Sequence, residues 1–289
     1  MEIKSRIESA LERAIRRAGS SKAPPKIAEA MRHAVFPGGA RVRPRLCLAV
    51  AYACGDDMPE ITDGALAAIE LLHCASLVHD DMPCFDDATI RRGRPSVHSL
   101  FGEPIALLTG DALIVLAFET IALEAVAAPA RIAPLITSLA RSVGMPGGIV
   151  AGQAWEAEPK IDLVEYHRAK TGSLFVGAAM AGALSAGADP HPWRMLGERL
   201  GEAYQVADDL RDAVASAEEI GKPVGQDAAH ARPNAVAELG CGETLARLEG
   251  LVAGVIAAIP PCPGAGDLVT LIKSEAKRLV PKELARSAA

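Results

Sequence analysis

The 289-residue sequence predicts an all-α fold, and three observations carry that prediction. Apolar residues recur with helical spacing almost end to end, and strand-like alternation never exceeds four residues. The breaks between periodic stretches are short and built from Gly, Pro and Asp. Composition agrees: half of the residues are apolar and only 3% are aromatic, while Ala and Leu dominate, which suits close-packed helices better than sheets.

Taken in order, helices are expected over 2–18, 24–35, 43–55 and 61–82, with the PGG turn at 37–39 and GDDMP at 55–59 among the breaks. Pro83 ends the fourth, because it lacks a backbone donor and disfavours a helical Met82. Helices 104–127, 129–142 and 148–156 follow, with MPGG at 145–148 before the last of them. Then come 162–186, 190–215, 242–258 and 265–279, punctuated by ADPHP at 188–192 and PPCPGAG at 260–266. With no credible linker, 1–289 reads as a single domain of helices packed antiparallel through short connections.

A net charge of −6, without a Lys/Arg run longer than a pair, argues against nucleic acid as a partner. No apolar run is expected to reach the roughly 18–20 residues of a membrane span. The charged N-terminus, MEIKSRIESALERAIRRAGS, lacks the apolar segment of a signal peptide. Six cysteines without CxxC spacing read as free, buried thiols of a cytoplasmic protein.

The chemistry gathers in two acidic clusters. In QVADDLRD, Asp208 and Asp212 lie four apart on one helical face with Asp209 beside them, an arrangement that repels itself without a counter-ion. Alone, it would be read as a solvated face, where carboxylates usually lie. In HDDMPCFDD, Asp80 and Asp86 are six residues apart, about 600° of helix, so an unbroken helix would separate them. The break at Pro83 lets the Met82–Phe85 loop swing Asp86 back over the helix end. Several carboxylates with no Cys/His set point to Mg²⁺, which keeps waters and bridges phosphate oxygens. Basic residues match them: Arg41, Arg43 and Arg45 in GGARVRPR, Arg91, Arg92 and Arg94 in RRGRP, then Lys170 and Lys222. Arginine forks suit diphosphate oxygens, and lysines act as point charges.

These motifs resemble those of the trans-isoprenyl diphosphate synthases, the polyprenyl synthetase family, and they occur in family order along essentially the whole chain. They are GGARVRP, LLHCASLVHDDMPCFDDATIRRGRPSVH, GD at 110–111, GQ at 152–153, YHRAKTGSLF at 166–175, and QVADDLRD followed by GKPVGQD. Within the family the sequence is most similar to the geranylgeranyl diphosphate synthases of carotenoid and bacteriochlorophyll pathways in phototrophic bacteria. The resemblance implies a helical bundle around a deep central cavity, commonly homodimeric. It implies that Asp80, Asp86 and Asp208, supported by Asp81, Asp209 and Asp212, hold an allylic diphosphate through Mg²⁺. Arg91, Lys170 and Lys222 would neutralise that diphosphate, and Thr171 and Gln205 would face the carbocation left by its departure. Arg43, His73 and Arg92 would hold isopentenyl diphosphate, the nucleophile; on residue chemistry alone His73 would be a core histidine and His79 a structural one.

One position departs from the family pattern. Ala40 stands where the family usually has a lysine that helps bind isopentenyl diphosphate, which makes Arg41 and Arg45 the candidates to replace that charge. Product length is expected to depend on the helix ending at Asp80, along which the prenyl tail grows. The resemblance places an aromatic stop for fifteen-carbon products at positions held here by Ala75 and Ser76. Their small size moves the floor a turn deeper, to Leu71 and Leu72, and favours twenty carbons over the fifteen of a farnesyl diphosphate synthase.

Three rival readings fit less well. A helical phosphohydrolase would want several histidine ligands and has no use for a second DDxxD. A terpene cyclase shares the ionisation step but does not need Arg43 and Arg92. A non-catalytic subunit of a prenyl synthase usually loses one aspartate motif, and both are intact here.

Overall fold

The computed structural model describes residues 3–36, 38–214 and 235–279. Lys222 and the 223–233 segment lie outside the described residues. Helices α1 (Ile3–Ala18), α2 (Pro25–Val35), α3 (Val42–Cys54) and α4 (Pro59–Asp80) come first. A two-stranded antiparallel hairpin, β1 (Ile90–Arg91) and β2 (Arg94–Pro95), leads into α5 (Val97–Phe101). Helices α6 (Glu103–Glu124), α7 (Pro129–Val143), α8 (Ile149–Trp155) and α9 (Leu163–His167) follow. A π turn at Arg168–Gly172 joins α9 to α10 (Ser173–Ser185), and a short 3₁₀ turn precedes α11 (Arg194–Val214). Helices α12 (Ala235–Ala257) and α13 (Ala265–Leu279) complete the described chain.

Several boundaries follow from local chemistry. Proline occupies the first turn of α2, α4, α6 and α7, where its missing N–H costs nothing. Gly55 ends α3 in the left-handed region at φ 114°, a conformation that strains other residues. The stretch expected as one helix over 162–186 is instead split by the π turn, and the expected 61–82 helix stops at Asp80. The short α5 and the hairpin have too few residues to register as periodicity. Helix α12 is broken by Gly240 (φ 77°), so its regular part begins close to the expected 242.

The core is built around α4 and α10. On α4, Leu66, Ile69, Leu71 and Leu72 are all buried, and each fully buried aliphatic chain stabilises by roughly 1.5–3 kcal/mol. Helix α4 packs along α6, α3, α10 and α1, while α10 also contacts α11 and α7. A smaller cluster, Ala203, Val206, Ala207, Leu210 and Leu248, ties α11 to α12.

Two of these helices, α4 and α6, are long and apolar enough to cross a membrane by length and composition, contrary to the expectation that no apolar run is that long. Isolated polar residues such as Glu70 and Asp111 divide each helix into shorter runs. The apolar window of α4 is 78% buried inside the bundle, that of α6 only 44%. All six cysteines are free, and burial pushes the Cys74 thiol up to about 12. Cys84, in the loop after Asp81, is exposed rather than buried as expected.

Candidate active site

The carboxyl end of α4 turns back on itself. The Asp86 N–H donates to the Asp80 carbonyl at 2.9 Å, and the Ala88 N–H donates to that of Asp81 at 3.1 Å. The amides of Phe85 and Asp87 both donate to the Met82 carbonyl. The Pro83 loop therefore returns Asp86 to the helix end, as the six-residue spacing requires. Asp87 takes a positive φ of 47° and points toward His98, 3.8 Å away, so it stands apart from the pair.

Asp80 and Asp81 are both buried, at 8% and 2% exposure, but they have different partners. Asp80 Oδ1 accepts from Gln153 Nε2 at 2.9 Å, and Lys170 Nζ stands 3.7 Å from it. Asp81 is gripped by the Arg91 guanidinium, whose Nε donates at 2.9 Å. Burial raises both carboxyls above the usual range. Lys170 and Gln153 pull Asp80 back, Arg91 does so for Asp81, and repulsion from Asp86 raises both. Arg91 is thus an ion-pair partner of Asp81 as well as the expected neutraliser of a diphosphate.

The π turn connects the two acidic clusters. Its neighbouring residues Lys170 and Thr171 serve opposite sides: Lys170 reaches toward Asp80, while Thr171 Oγ1 donates to Gln205 Oε1 at 3.1 Å. Gln205 Nε2 in turn donates to Asp209 Oδ1 at 3.1 Å. An extra residue in a helical turn redirects side chains, and such turns recur at functional sites. Bare backbone flanks this one on both sides. A Cβ on Gly152 would fall 2.4 Å from the Lys170 nitrogen, and one on Gly201 would fall 2.7 Å from the Gly172 Cα. Asp208 pairs with Arg211 at 3.3 Å, one turn further along α11. Asp212 lies on α11, but its side chain is outside the described residues, as is Lys222.

A group of basic residues lies near both clusters. The hairpin turns through Arg92 (φ 53°) and Gly93 (φ 73°), both left-handed, as a two-residue turn requires. The Arg92 guanidinium lies against Gly39, where a Cβ would come within 2.8 Å of it. Arg43 stacks on the rings of Phe175 (4.7 Å) and Tyr204 (5.9 Å), and its buried Nε has no hydrogen-bond partner. Burial lowers the Arg43 guanidinium from its ordinary range, and nearby Arg92 lowers it further, against the pull of Tyr204, Glu70 and Asp208. His73 is held neutral, first by burial and then by the field of Arg43, Arg92, Arg91 and Arg41. It is half-buried on α4 among arginines rather than a plain core histidine.

The two arginines expected to make up for Ala40 are engaged elsewhere. Arg41 is buried, donating to Glu70 at 2.7 Å, to Glu8 at 2.9 Å and to the Val35 carbonyl. Arg45 donates to Glu275 on α13 at 2.5 Å. Arg94 bonds the Phe36 carbonyl and His33, tying the hairpin to α2. His79, beside Asp80, faces Asp111 at 4.0 Å and packs against Gly110, which accounts for the Gly-Asp pair at 110–111.

Sequence reasoning assigned no role to three neighbours of the site. Gln153 bridges Asp80 and the Ser76 carbonyl, while Glu156 accepts from both Lys170 and Tyr166 at 2.6 Å. The available signal was the Gln153–Glu156 spacing, which puts both side chains on one helical face.

The donor set fits Mg²⁺. It is all oxygen, and like charges are crowded where a cation would relieve them. Among the described residues no three acidic, histidine or cysteine groups converge to cage a metal unaided. Mg²⁺ is commonly held that way, by one or two carboxylates with substrate phosphates and water completing its shell.

An all-α bundle with two aspartate clusters on either side of one π turn, with a group of basic residues nearby, defines the isoprenoid synthase class. The sequence profile of the Polyprenyl synthetase family matches residues 24–247. The geranylgeranyl diphosphate synthase of Cereibacter sphaeroides is 55% identical over 285 residues, 99% of this chain and 99% of that protein. That of Rhodobacter capsulatus is 50% identical over 97% of both chains. Among solved structures, the Helicobacter pylori geranyltransferase complexed with magnesium and isoprenyl diphosphate is similar at a TM-score of 0.78. Its identity is 27%, and the match covers 96% of this chain and 98% of that one. The chain belongs to the polyprenyl synthetase family.

Proposed function

We infer that this chain is a trans-prenyltransferase that condenses isopentenyl diphosphate with an allylic diphosphate to give all-trans geranylgeranyl diphosphate. The observation that carries the reading is the π turn, from which Lys170 reaches toward Asp80 and Thr171 joins Gln205 and Asp209. That run of contacts links the two acidic clusters, and Arg43 adds a buried guanidinium with an unpartnered Nε.

Asp80, Asp86 and Asp208 would hold Mg²⁺ beside the allylic diphosphate, with Asp81, Asp209 and Asp212 in support. When bound, Mg²⁺ supplies the positive charge that stabilises the departing diphosphate. Lys170, Arg91 and Lys222 add positive charge on the same oxygens. The oxygens of Thr171 and Gln205 face the allylic cation after the C–O bond breaks. Arg43, His73 and Arg92 orient isopentenyl diphosphate so that its double bond attacks that cation. Loss of a proton to the released diphosphate then completes the new trans double bond. The tail lies along α4, past Ser76 and Ala75 toward Leu72.

The active unit spans 1–289 and is a homodimer that uses the outer face of α6. Leu108, Val115, Leu123 and the following Val126 are half exposed or more there, an apolar stripe that a second copy would cover. Six free thiols fit a reducing cytoplasm.

Incubation with Mg²⁺, isopentenyl diphosphate and dimethylallyl, geranyl or farnesyl diphosphate, followed by product sizing, tests the reading. Twenty-carbon diphosphate is expected, and a product that stops at fifteen carbons would make the chain a farnesyl diphosphate synthase. Hydrocarbon without isopentenyl incorporation, or activity only after a partner is added, would overturn the assignment.

A further inference from the structure

We propose that Glu156 and Tyr166 form a bracket that holds the Lys170 ammonium off Asp80, so that Asp80 stays open to the metal-bound diphosphate. The proposal rests on the prenyltransferase reading of this site. Lys170 Nζ donates to Glu156 Oε1 at 2.6 Å and stands 3.7 Å from Asp80 Oδ1, an ion-pair distance but too long for a hydrogen bond. The Tyr166 hydroxyl donates to the same Glu156 oxygen at 2.6 Å, and its ring lies beneath the ammonium, 5.8 Å from Nζ. Glu156 is the cap residue at the carboxyl end of α8, where the helix dipole disfavours a carboxylate. Its position is unfavourable for the helix and is offset by the lysine and the phenol.

An ammonium carries three donors, so one stays on Glu156 and two remain for an anion beside Asp80. Without the bracket, the flexible four-carbon stem would let Lys170 close the short gap to Asp80. That ion pair would add a cation to a carboxylate whose Oδ1 already accepts from Gln153, and so weaken Asp80 as a metal ligand. Gln153, three residues before Glu156, already donates to Asp80 Oδ1, so α8 orients both the carboxylate and its lysine neighbour. Glu156 and Tyr166 are positioning residues, acting through Lys170.

The test is calorimetric titration of Mg²⁺ with inorganic diphosphate, which needs no turnover, alongside steady-state kinetics. Glu156→Gln is expected to weaken Mg²⁺–diphosphate binding about tenfold and raise the allylic KM by a similar factor. The isopentenyl diphosphate KM should not change. Tyr166→Phe should act in the same direction by about threefold, and it carries the test if Glu156→Gln does not fold. In a Lys170→Met background, Glu156→Gln should add nothing to the binding defect. Unchanged diphosphate affinity in both single variants, or full multiplication of the two defects in the double variant, would overturn the bracket. A wild-type protein that binds Mg²⁺–diphosphate but never incorporates isopentenyl units would instead refute the prenyltransferase reading.

Discussion

Ala75→Phe should convert the chain from a twenty-carbon to a fifteen-carbon synthase. Ala75 lies five residues before Asp80 on α4, about 7.5 Å along the axis, and Leu71 lies about 13.5 Å along it. The difference, about 6 Å, is close to the length of one isoprene unit, so a ring at 75 would remove one unit of tail space. A tenfold preference for the shorter product needs the final elongation barrier raised by only about 1.4 kcal/mol. Forcing extra atoms into a packed site costs about 1–3 kcal/mol, so one substitution supplies enough. Ala75 is 1% exposed, so part of that cost falls on the fold, and the melting temperature should drop by about 2–6 °C. Chromatography of dephosphorylated products reads the outcome. A variant that folds, turns over and still releases twenty-carbon product would refute the placement of the tail along this face of α4.

Four further outcomes follow from particular contacts. Ala40→Lys should lower the KM for isopentenyl diphosphate about fivefold and leave the allylic KM alone, because Arg41 and Arg45 are already committed to Glu70 and Glu275. Arg41→Ala should act on stability instead: leaving Glu70 buried and unpaired costs about 3–5 kcal/mol, seen as a melting point lower by roughly 10 °C. Gly152→Ala should cut turnover more than a hundredfold, since its Cβ would press on the Lys170 backbone and displace α8 or the π turn. Chelation with EDTA should abolish turnover without loss of helical circular dichroism, and added Mg²⁺ should restore it.

The sequence carried the helices well because their signals are periodic and their ends are marked by proline or glycine, as at Pro59 and Gly55. It also predicted the return of Asp86, since Pro83 leaves the chain little alternative to a turn. What it could not convey was pairing between distant side chains. Nothing in RRGRP says that Arg91 closes on Asp81 while Arg92 lies against Gly39, because those choices depend on the hairpin and the GGA turn meeting in space. The same holds for Arg41, whose sequence neighbours suggest a substrate ligand and whose burial makes it a structural ion. The π turn was invisible for a different reason. One added residue in YHRAKTGSLF leaves helical periodicity nearly intact, yet it decides which way Lys170 and Thr171 point.

The division of labour among the charged residues follows from burial. Arg41–Glu70 and Arg91–Asp81 join cations to buried carboxylates, and in such pairs desolvation is offset only when geometry is good. Arg43 has no such hydrogen-bonded partner at Nε; its guanidinium is desolvated over two neighbouring rings and lowered in pKa, the condition of a group awaiting an anion. Lys170 lies between these extremes, fixed to Glu156 but short of contact with Asp80. A diphosphate entering between the clusters would therefore meet one cation already pinned to Asp81, one desolvated, and one held at a set distance from Asp80. Among the described residues, the Arg43 Nε and the Lys170–Asp80 pair are thereby left incompletely paired in the resting protein. That incomplete pairing gives an overall acidic chain a local preference for a metal-bound anion.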